Sequence, residues 1–386
     1  MSRDIAVVSG YLVRCPLGGY AWQNLHYLFG LRELGYDAYF YEDTEYYAQF
    51  FEPRSGNLTD DPRAGLEFAS SFFAEHGFAD RWMFADTWRE RCFGLSPEAW
   101  QDVVRDARLW LSLANVNRLP EGWRGRTGTV CVDLDPGYTQ IRAATDDGLR
   151  SLLADHKAHF TIGERIGSPD CRVPTAGFHW RATRQPIVMS LWQPTDLPSG
   201  AAYSTIGRWD ERGRELEVDG VLYSWRKRTE WMNFLDLPAR TGERFRVAMD
   251  VAKSAEDLAL LESHGWEVVD PIAISADANR YRDFIRASKG EFTVAKDVSV
   301  RLRTGWFSDR AACYLAAGRP VVNQDTNFRH ALPVGVGLFD YADVAGAELA
   351  FARLGDDYAA HCRTARRIAE EHFDAKRVLG DLVAQI

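Results

Sequence analysis

The sequence predicts an α/β fold of two Rossmann-like domains facing across a cleft. Three observations carry that expectation. With 386 residues the chain exceeds one ordinary core and suits two. Residues 4–43 read as strand, helix and strand in succession, the pattern of a parallel sheet with helices on its faces. A second strand–helix alternation begins near Tyr203, after a proline-bearing stretch of little periodicity.

The apolar run from Ile5 to Val8, closed by Ser9 and Gly10, predicts a buried parallel strand. Trp22, Leu25, Leu28, Phe29, Leu31 and Leu34 then recur at helical spacing, and Gly35 stands where a helix ends in a left-handed residue. A strand over 36–41 follows and leads into the acidic pair Glu42-Asp43. Residues 60–125 read as mainly helical, with amphipathic runs over 66–76 and 97–108, and with 109–113 returning to the sheet. Strands are expected over 129–133 and 160–163, with Asp133, Asp135, Pro136 and Gly137 at the carboxyl end of the first. Residues 177–200 are expected to join the domains. Beyond them the pattern gives strands over 204–207, 245–249, 267–269 and 290–294. A helix over 308–317, a strand over 320–323 and two final helices complete it. The expected boundaries are 1–195 for an N-terminal domain, 196–365 for a C-terminal domain and 366–386 for a helix returning to the first.

Composition excludes several classes. A hydrophobic fraction of 46% with 26% charged residues describes a folded chain. The net charge of −9 makes it a poor partner for nucleic acid or anionic lipid, although Arg226-Lys227-Arg228 and Arg301/Arg303 are local basic clusters. The six cysteines form no Cys-x-x-Cys pair, so free thiols are expected. No run approaches the roughly 20 apolar residues of a membrane span, and the apolar run after Asp4 is too short for a secretion signal; a cytoplasmic protein is expected. The loop after the first strand lacks Gly-x-Gly-x-x-Gly, which argues against a dinucleotide dehydrogenase even though Glu42 stands where a ribose-binding acid would.

The densest signal runs from Gly305 through Ser308, Asp309, Cys313, Gly318 and Pro320 to Asp325-Thr326, then Gly335-Val-Gly337-Leu338. It reads as a loop, an N-capped helix, a glycine turn and a buried strand, the arrangement that points a helix N-terminus at a ligand above a sheet. This block resembles the donor-site region of GT-B glycosyltransferases. The stretch 358–383 resembles that family's closing helices. Pro16-Leu-Gly-Gly19 with the following helix resembles its N-domain opening, where a glycine-rich loop faces acceptor and donor phosphate. The resemblance implies a GT-B fold, a nucleoside-diphosphate sugar as co-substrate rather than a resident cofactor, no metal, and transfer of the sugar to an acceptor, for which the aromatic residues of the N-terminal domain suggest a small molecule such as a natural-product aglycone. The chain departs from the family at two points. The Glu that holds the donor ribose falls on Cys313 and a second family Glu on Gly305, so Asp309 is the substitute acid. Aligned otherwise, Gly305-Trp-Phe-Ser308 resembles the Gly-Trp-Asn-Ser of plant-type inverting members.

On that footing Lys227, Arg303, Ser308, Asp309, Asp325 and Thr326 are the donor-site candidates, with Arg301 beside them, and Gly18, Gly19 and Gln23 form the acceptor and phosphate loop. Lys296 reads equally as a surface ion pair with Asp297. If the transfer needs a base, Asp135 comes first, with Glu164 and His179 behind it. Asp133-Leu-Asp135 also matches the metal-chelating pair of the other major glycosyltransferase fold. Trp22, Tyr46, Tyr47, Phe50, Phe51, Phe72 and Trp82 suggest a flat or apolar acceptor surface. The expected partners are a nucleotide-sugar donor and a small-molecule acceptor, with no nucleic acid and no membrane span, in a monomer or homodimer. The competing readings are a nucleotide-sugar epimerase on the same fold and a non-catalytic sugar-nucleotide-binding relative.

Overall fold

The computed structural model describes residues 3–211 and 213–386. The first half supplies β1 (Ile5–Ser9), β2 (Asp37–Asp43), β3 (Phe50–Glu52), β4 (Asn57–Thr59), β5 (Trp82–Asp86), β6 (Arg91–Gly94), β7 (Ala107–Leu113), β8 (Thr129–Asp133), β9 (Ala158–Thr161) and β10 (Trp180–Ala182). The second supplies β11 (Tyr203–Gly207), β12 (Leu216–Val218), β13 (Val221–Tyr223), β14 (Phe245–Met249), β15 (Trp266–Val269), β16 (Gly290–Thr293), β17 (Val321–Gln324) and β18 (Leu338–Tyr341).

Two sheets result. The first runs β10-β9-β8-β7-β1-β2-β5-β6, parallel except for the last strand. The second runs β15-β14-β11-β16-β17-β18 and is parallel throughout. Strand order reverses between β1 and β7 in one sheet and between β11 and β16 in the other. In doubly wound sheets, ligands sit beyond the strand ends at such reversals. The inner strands are buried on both faces, β8 and β17 along their whole length, which is why they read as unbroken apolar runs.

The sequence missed the inner strand β5 and the short edge elements. Residues 60–125 contain β5 and β6 as well as helices Arg63–Glu75 and Pro97–Asp106, and the joining stretch contains β10. β6 is largely exposed and antiparallel, so no apolar run marks it. At Gly94 a Cβ would stand 2.3 Å from the Trp82 carbonyl oxygen, and φ is +86°; only glycine permits this return. Three helices close the chain rather than two: Val344–Asp356, Tyr358–His372 and Ala375–Val383. The last break comes at Asp374, whose side chain accepts from the Arg377 N–H and caps the final helix.

The two sheets are joined by contacts around the cleft. Helix Gly18–Glu33 is buried on most sides, packed on the final helix and on helix Ala278–Arg286, and Trp22 Nε1 donates to the Ala278 carbonyl at 2.7 Å. Gly18 is required there, since a Cβ would lie 2.5 Å from the Tyr281 Cβ. Gly163 bridges Trp306, and the Arg165 N–H donates to the Thr304 carbonyl at 3.0 Å. Ile187 pairs with the backbone on both sides of Asp374.

Glu42 fixes the loop after β1. Its buried carboxylate accepts from the N–H groups of Leu12, Val13 and Arg14 at 2.8, 2.6 and 3.0 Å and from Arg14 Nε at 2.9 Å. It holds the loop and is closed to a nucleotide ribose.

Candidate functional site

The strand ends at the two reversals face one another across a cleft of about 300 Å³. From the first sheet come Leu134, Asp135 and Pro136 after β8, Ile162 after β9, and Gln185 from the joining stretch. Tyr20 and Gln23 reach it from the first turns of helix Gly18–Glu33. From the second sheet come Gly207 and Arg208 at the end of β11, Lys296 after β16, Lys227 at the start of a short helix, and Ser308, Asp309 and Arg310 at the start of helix Asp309–Ala316. Glu211, Arg214 and Trp225 belong to the arm that carries hairpin β12–β13.

The electrostatics of this cleft differ from the rest of the molecule. Elsewhere, cations withdrawn from solvent hold carboxylates closely: Arg14–Glu42 at 2.9 Å, Arg184–Glu164 at 2.7 Å, Arg228–Asp257 at 2.7 Å and Lys289–Glu243 at 2.6 Å. In the cleft the nearest carboxylates stand off. Arg208 is 4.0 Å from Glu211, Arg214 is 3.6 Å from Glu211 and 3.8 Å from Asp135, and Lys296 is 3.9 Å from Asp135. Lys227 has no ion pair among the described residues and lies over the Trp306 ring at 5.7 Å. Burial, with Arg310 and Lys296 nearby, pushes the Lys227 ammonium well below its usual range. Burial likewise pushes Lys296 down to about 8, although its side chain keeps 22% of its exposure. Two of the chain's six lysines are thus held against their charge in one small cavity.

Arg310 is not part of this excess. Its guanidinium is paired with the buried Glu291 and donates to the Ile206 carbonyl at 2.6 Å and to Thr293 at 3.0 Å, forming the cleft floor. Ser308 caps its helix by accepting from the Ala311 N–H at 3.0 Å, which leaves the hydroxyl proton to donate. Asp309, whose carboxyl is pushed up by burial, faces the cavity one turn before Cys313, which is buried in the helix core.

Asp135, Lys227, Ser308, Asp309 and Gln23 therefore line the cleft. Gly18 and Gly19 start the helix that delivers Gln23. The other candidates lie elsewhere. Thr326 and Asp325 stand behind the wall: the Thr326 hydroxyl donates to the Trp306 carbonyl at 2.6 Å, and Asp325 accepts from the Asn327 N–H at 2.6 Å. Arg303 is exposed and donates to Asn327 at 2.7 Å, and Arg301 pairs with Asp297 at 3.1 Å. Glu164 is held in a two-pronged pair by Arg184, outside the cleft lining. His179 is exposed beside the edge strand β10. Asp133 accepts from Thr139, Gln140, Thr161 and the Asp135 N–H, so its oxygens are taken and the Asp-x-Asp pair is a turn anchor rather than a chelate.

Two expectations are corrected. Lys296 is a cleft residue that lies 3.2 Å from the Trp225 ring centroid, while Asp297 serves Arg301 and the Ser224 N–H. Four of the seven aromatics, Trp22, Phe50, Phe72 and Trp82, are core, and none of the set lines the cleft. Sequence reading also passed over Arg208 and Arg214. Arg208 was signalled by its place after Gly207, at the end of the first strand of the second sheet.

No protein-family model and no curated protein matches this sequence. Solved structures match over essentially the whole chain. Sucrose-phosphate synthase from Thermosynechococcus elongatus superposes with a TM-score of 0.56 at 14% identity, over 100% of this chain and 99% of that one. An alpha-glucosyltransferase in complex with UDP gives 0.58 at 10% identity, over 99% of both chains. An alpha-glucosyltransferase in complex with UDP-glucose and DNA containing an abasic site gives 0.56 at 9% identity, over 100% of this chain and 99% of that one. The chain has the GT-B fold of these glycosyltransferases. Among the described residues, no helix is long and apolar enough to cross a membrane.

Proposed function

We propose that the protein transfers a sugar from a nucleoside-diphosphate sugar to a small-molecule acceptor bound in the cleft. The observation that carries this reading is the loosely paired cation set. Among the described residues, Arg208, Arg214 and Lys296 stand 3.6 Å or more from Asp135 and Glu211, Lys227 pairs with no carboxylate, and Asp309 is the third carboxylate of the lining. A diphosphate would supply the negative charge that this cation set lacks, most strongly at the withdrawn Lys227 and Lys296 rather than at the exposed Arg208. The GT-B fold and the UDP complexes of its structural neighbours support the same ligand.

In this reading Lys227, Arg208, Lys296 and the Ser308 hydroxyl receive the diphosphate. Asp309 accepts hydrogen bonds from donor hydroxyl groups, the task that the family's missing Glu performs. Asp135, the carboxylate on the first-sheet wall, takes the proton of the acceptor hydroxyl as that oxygen bonds to the sugar. Side chains rather than a metal ion neutralise the leaving group, since the Asp133 oxygens are already occupied. The net charge of −9 and the small cavity favour a small acceptor over DNA.

The test is release of nucleoside diphosphate from UDP-, dTDP-, GDP- and ADP-glucose, with water as acceptor, by the purified chain. The reading expects turnover with one of the four above a heat-inactivated control. Turnover with none would remove it.

Nucleotide affinity is also expected to depend on pH. Lys296 carries its charge below about pH 8 and loses it above. Affinity should therefore fall as the pH rises through about 8, by up to about tenfold per unit as the Lys296 proton is lost. Calorimetric titrations at pH 7, 8 and 9 check this, and Lys296→Arg should carry the plateau upward because arginine keeps its charge.

A further inference from the structure

Arg214 is carried differently from the other cations of the cleft. Lys296 stands just beyond the end of β16, and Arg208 follows β11 directly. Arg214 stands just before hairpin β12–β13, whose strand β12 packs on helix Tyr138–Thr145 of the opposite wall. Its guanidinium packs against the adjoining rings of Tyr138 and Trp225, 4.3 Å from the first ring centroid and 4.8 Å from the second, the two centroids being 4.8 Å apart. The rings hold the stem side of the fork, and the Tyr138 hydroxyl takes one of its hydrogen bonds, leaving the remaining donors facing the cavity. The two facing carboxylates, Glu211 at 3.6 Å and Asp135 at 3.8 Å, lie beyond hydrogen-bond distance. The fork is oriented and its donors are not spent on either carboxylate.

Its neighbour gives the fork a task. Glycosyl transfer moves two charges at once. The acceptor oxygen bonds to the anomeric carbon, the bond from that carbon to the diphosphate oxygen breaks, and its electron pair leaves with the diphosphate. The acceptor proton goes to Asp135. At one moment Asp135 loses the negative charge that faces Arg214, and the diphosphate gains one. Asp135 and Arg214 both line the cavity of about 300 Å³ in which the donor is placed.

We propose that Arg214 is a catalytic residue: it turns from Asp135 to the departing diphosphate as Asp135 is protonated, and stabilises the charge that develops there. The inference rests on the glycosyl-transfer reading above. Arg214 then contributes to the transition state and little to the resting donor complex, which separates it from Lys227.

The experiment compares wild type, Arg214→Ala, Asp135→Asn and the double variant in release of nucleoside diphosphate from the four glucose nucleotides, alongside calorimetric affinity for the free nucleotides. Arg214→Ala is expected to lower kcat by about 100-fold while nucleotide Kd stays within threefold. The double variant should be no worse than the poorer single variant by more than a few-fold, because the two residues act in one charge transfer. Arg214→Lys should recover part of kcat, which loss of packing alone would not allow. A kcat within threefold of wild type in Arg214→Ala overturns the proposal, as does a rise in Kd that matches the fall in kcat. Wild-type protein that neither binds a nucleotide nor turns one over would remove the glycosyl-transfer reading and this inference together.

Discussion

Lys227→Met is expected to weaken nucleoside-diphosphate binding by about 10- to 100-fold without destabilising the protein. A charged hydrogen bond to phosphate is worth about 1.5–3 kcal/mol, and methionine keeps the apolar stem over Trp306 while removing the charge. The stability half of the statement follows from the direction of the Lys227 shift. Burial and the neighbouring cations push its ammonium well below the ordinary lysine range, so at neutral pH the folded state holds that charge less favourably than the unfolded state does. Removing it should leave the melting temperature of the ligand-free protein unchanged or raised. Calorimetry and a melting curve check the two halves separately. A structural lysine would show the opposite pattern, with lower stability and intact affinity.

Glu42→Leu is expected to cost the fold about 5 kcal/mol or more, the largest stability effect of any single change proposed. The substitution strands the N–H groups of Leu12, Val13 and Arg14 and the Arg14 guanidinium, all buried. Each unpaired buried N–H costs about 1–3 kcal/mol, and an uncompensated buried charge about 3–5 kcal/mol. Arg14 also donates to the Val116 carbonyl at 3.1 Å and to Asn117 at 3.0 Å, which limits the loss for the guanidinium. The milder Glu42→Gln keeps one acceptor oxygen and should cost about half as much. Urea denaturation measures both. Glu42→Gln should bind nucleotides within threefold of wild type wherever it is folded, because the side chain lies outside the cleft lining.

Most strands legible in the sequence were those whose burial is uniform along the chain, although β5, comparably buried, was missed inside a stretch read as helical. β1, β8, β14 and β17 are inner parallel strands that show as apolar runs between glycines or polar residues. β6, β10 and the two hairpins were not legible, since elements of three or four half-exposed residues are defined by the neighbour they pair with. The site divides in the same way. Ser308 and Asp309 could be placed because a capped helix after a loop is a local pattern. Lys296 could not, because Lys-Asp in sequence reads as a surface pair, and only the strand order puts β16 beside β11 at the reversal. Thr326 and Arg303 belong to the same block yet face away from the cavity, which spacing along the chain does not reveal. Cys313, standing where the family has a carboxylate, is buried in its helix, and the acid that faces the cleft is Asp309, one turn earlier.

The most direct test of the central claim is the shift in melting temperature of the purified protein with UDP, dTDP, GDP, ADP and NAD at neutral pH. A ligand that binds only the folded state raises that temperature by mass action. The account predicts a clear rise with one nucleoside diphosphate, lost in Lys227→Met and retained in Glu42→Gln. A rise with NAD alone, or no rise with any of the five, would contradict it.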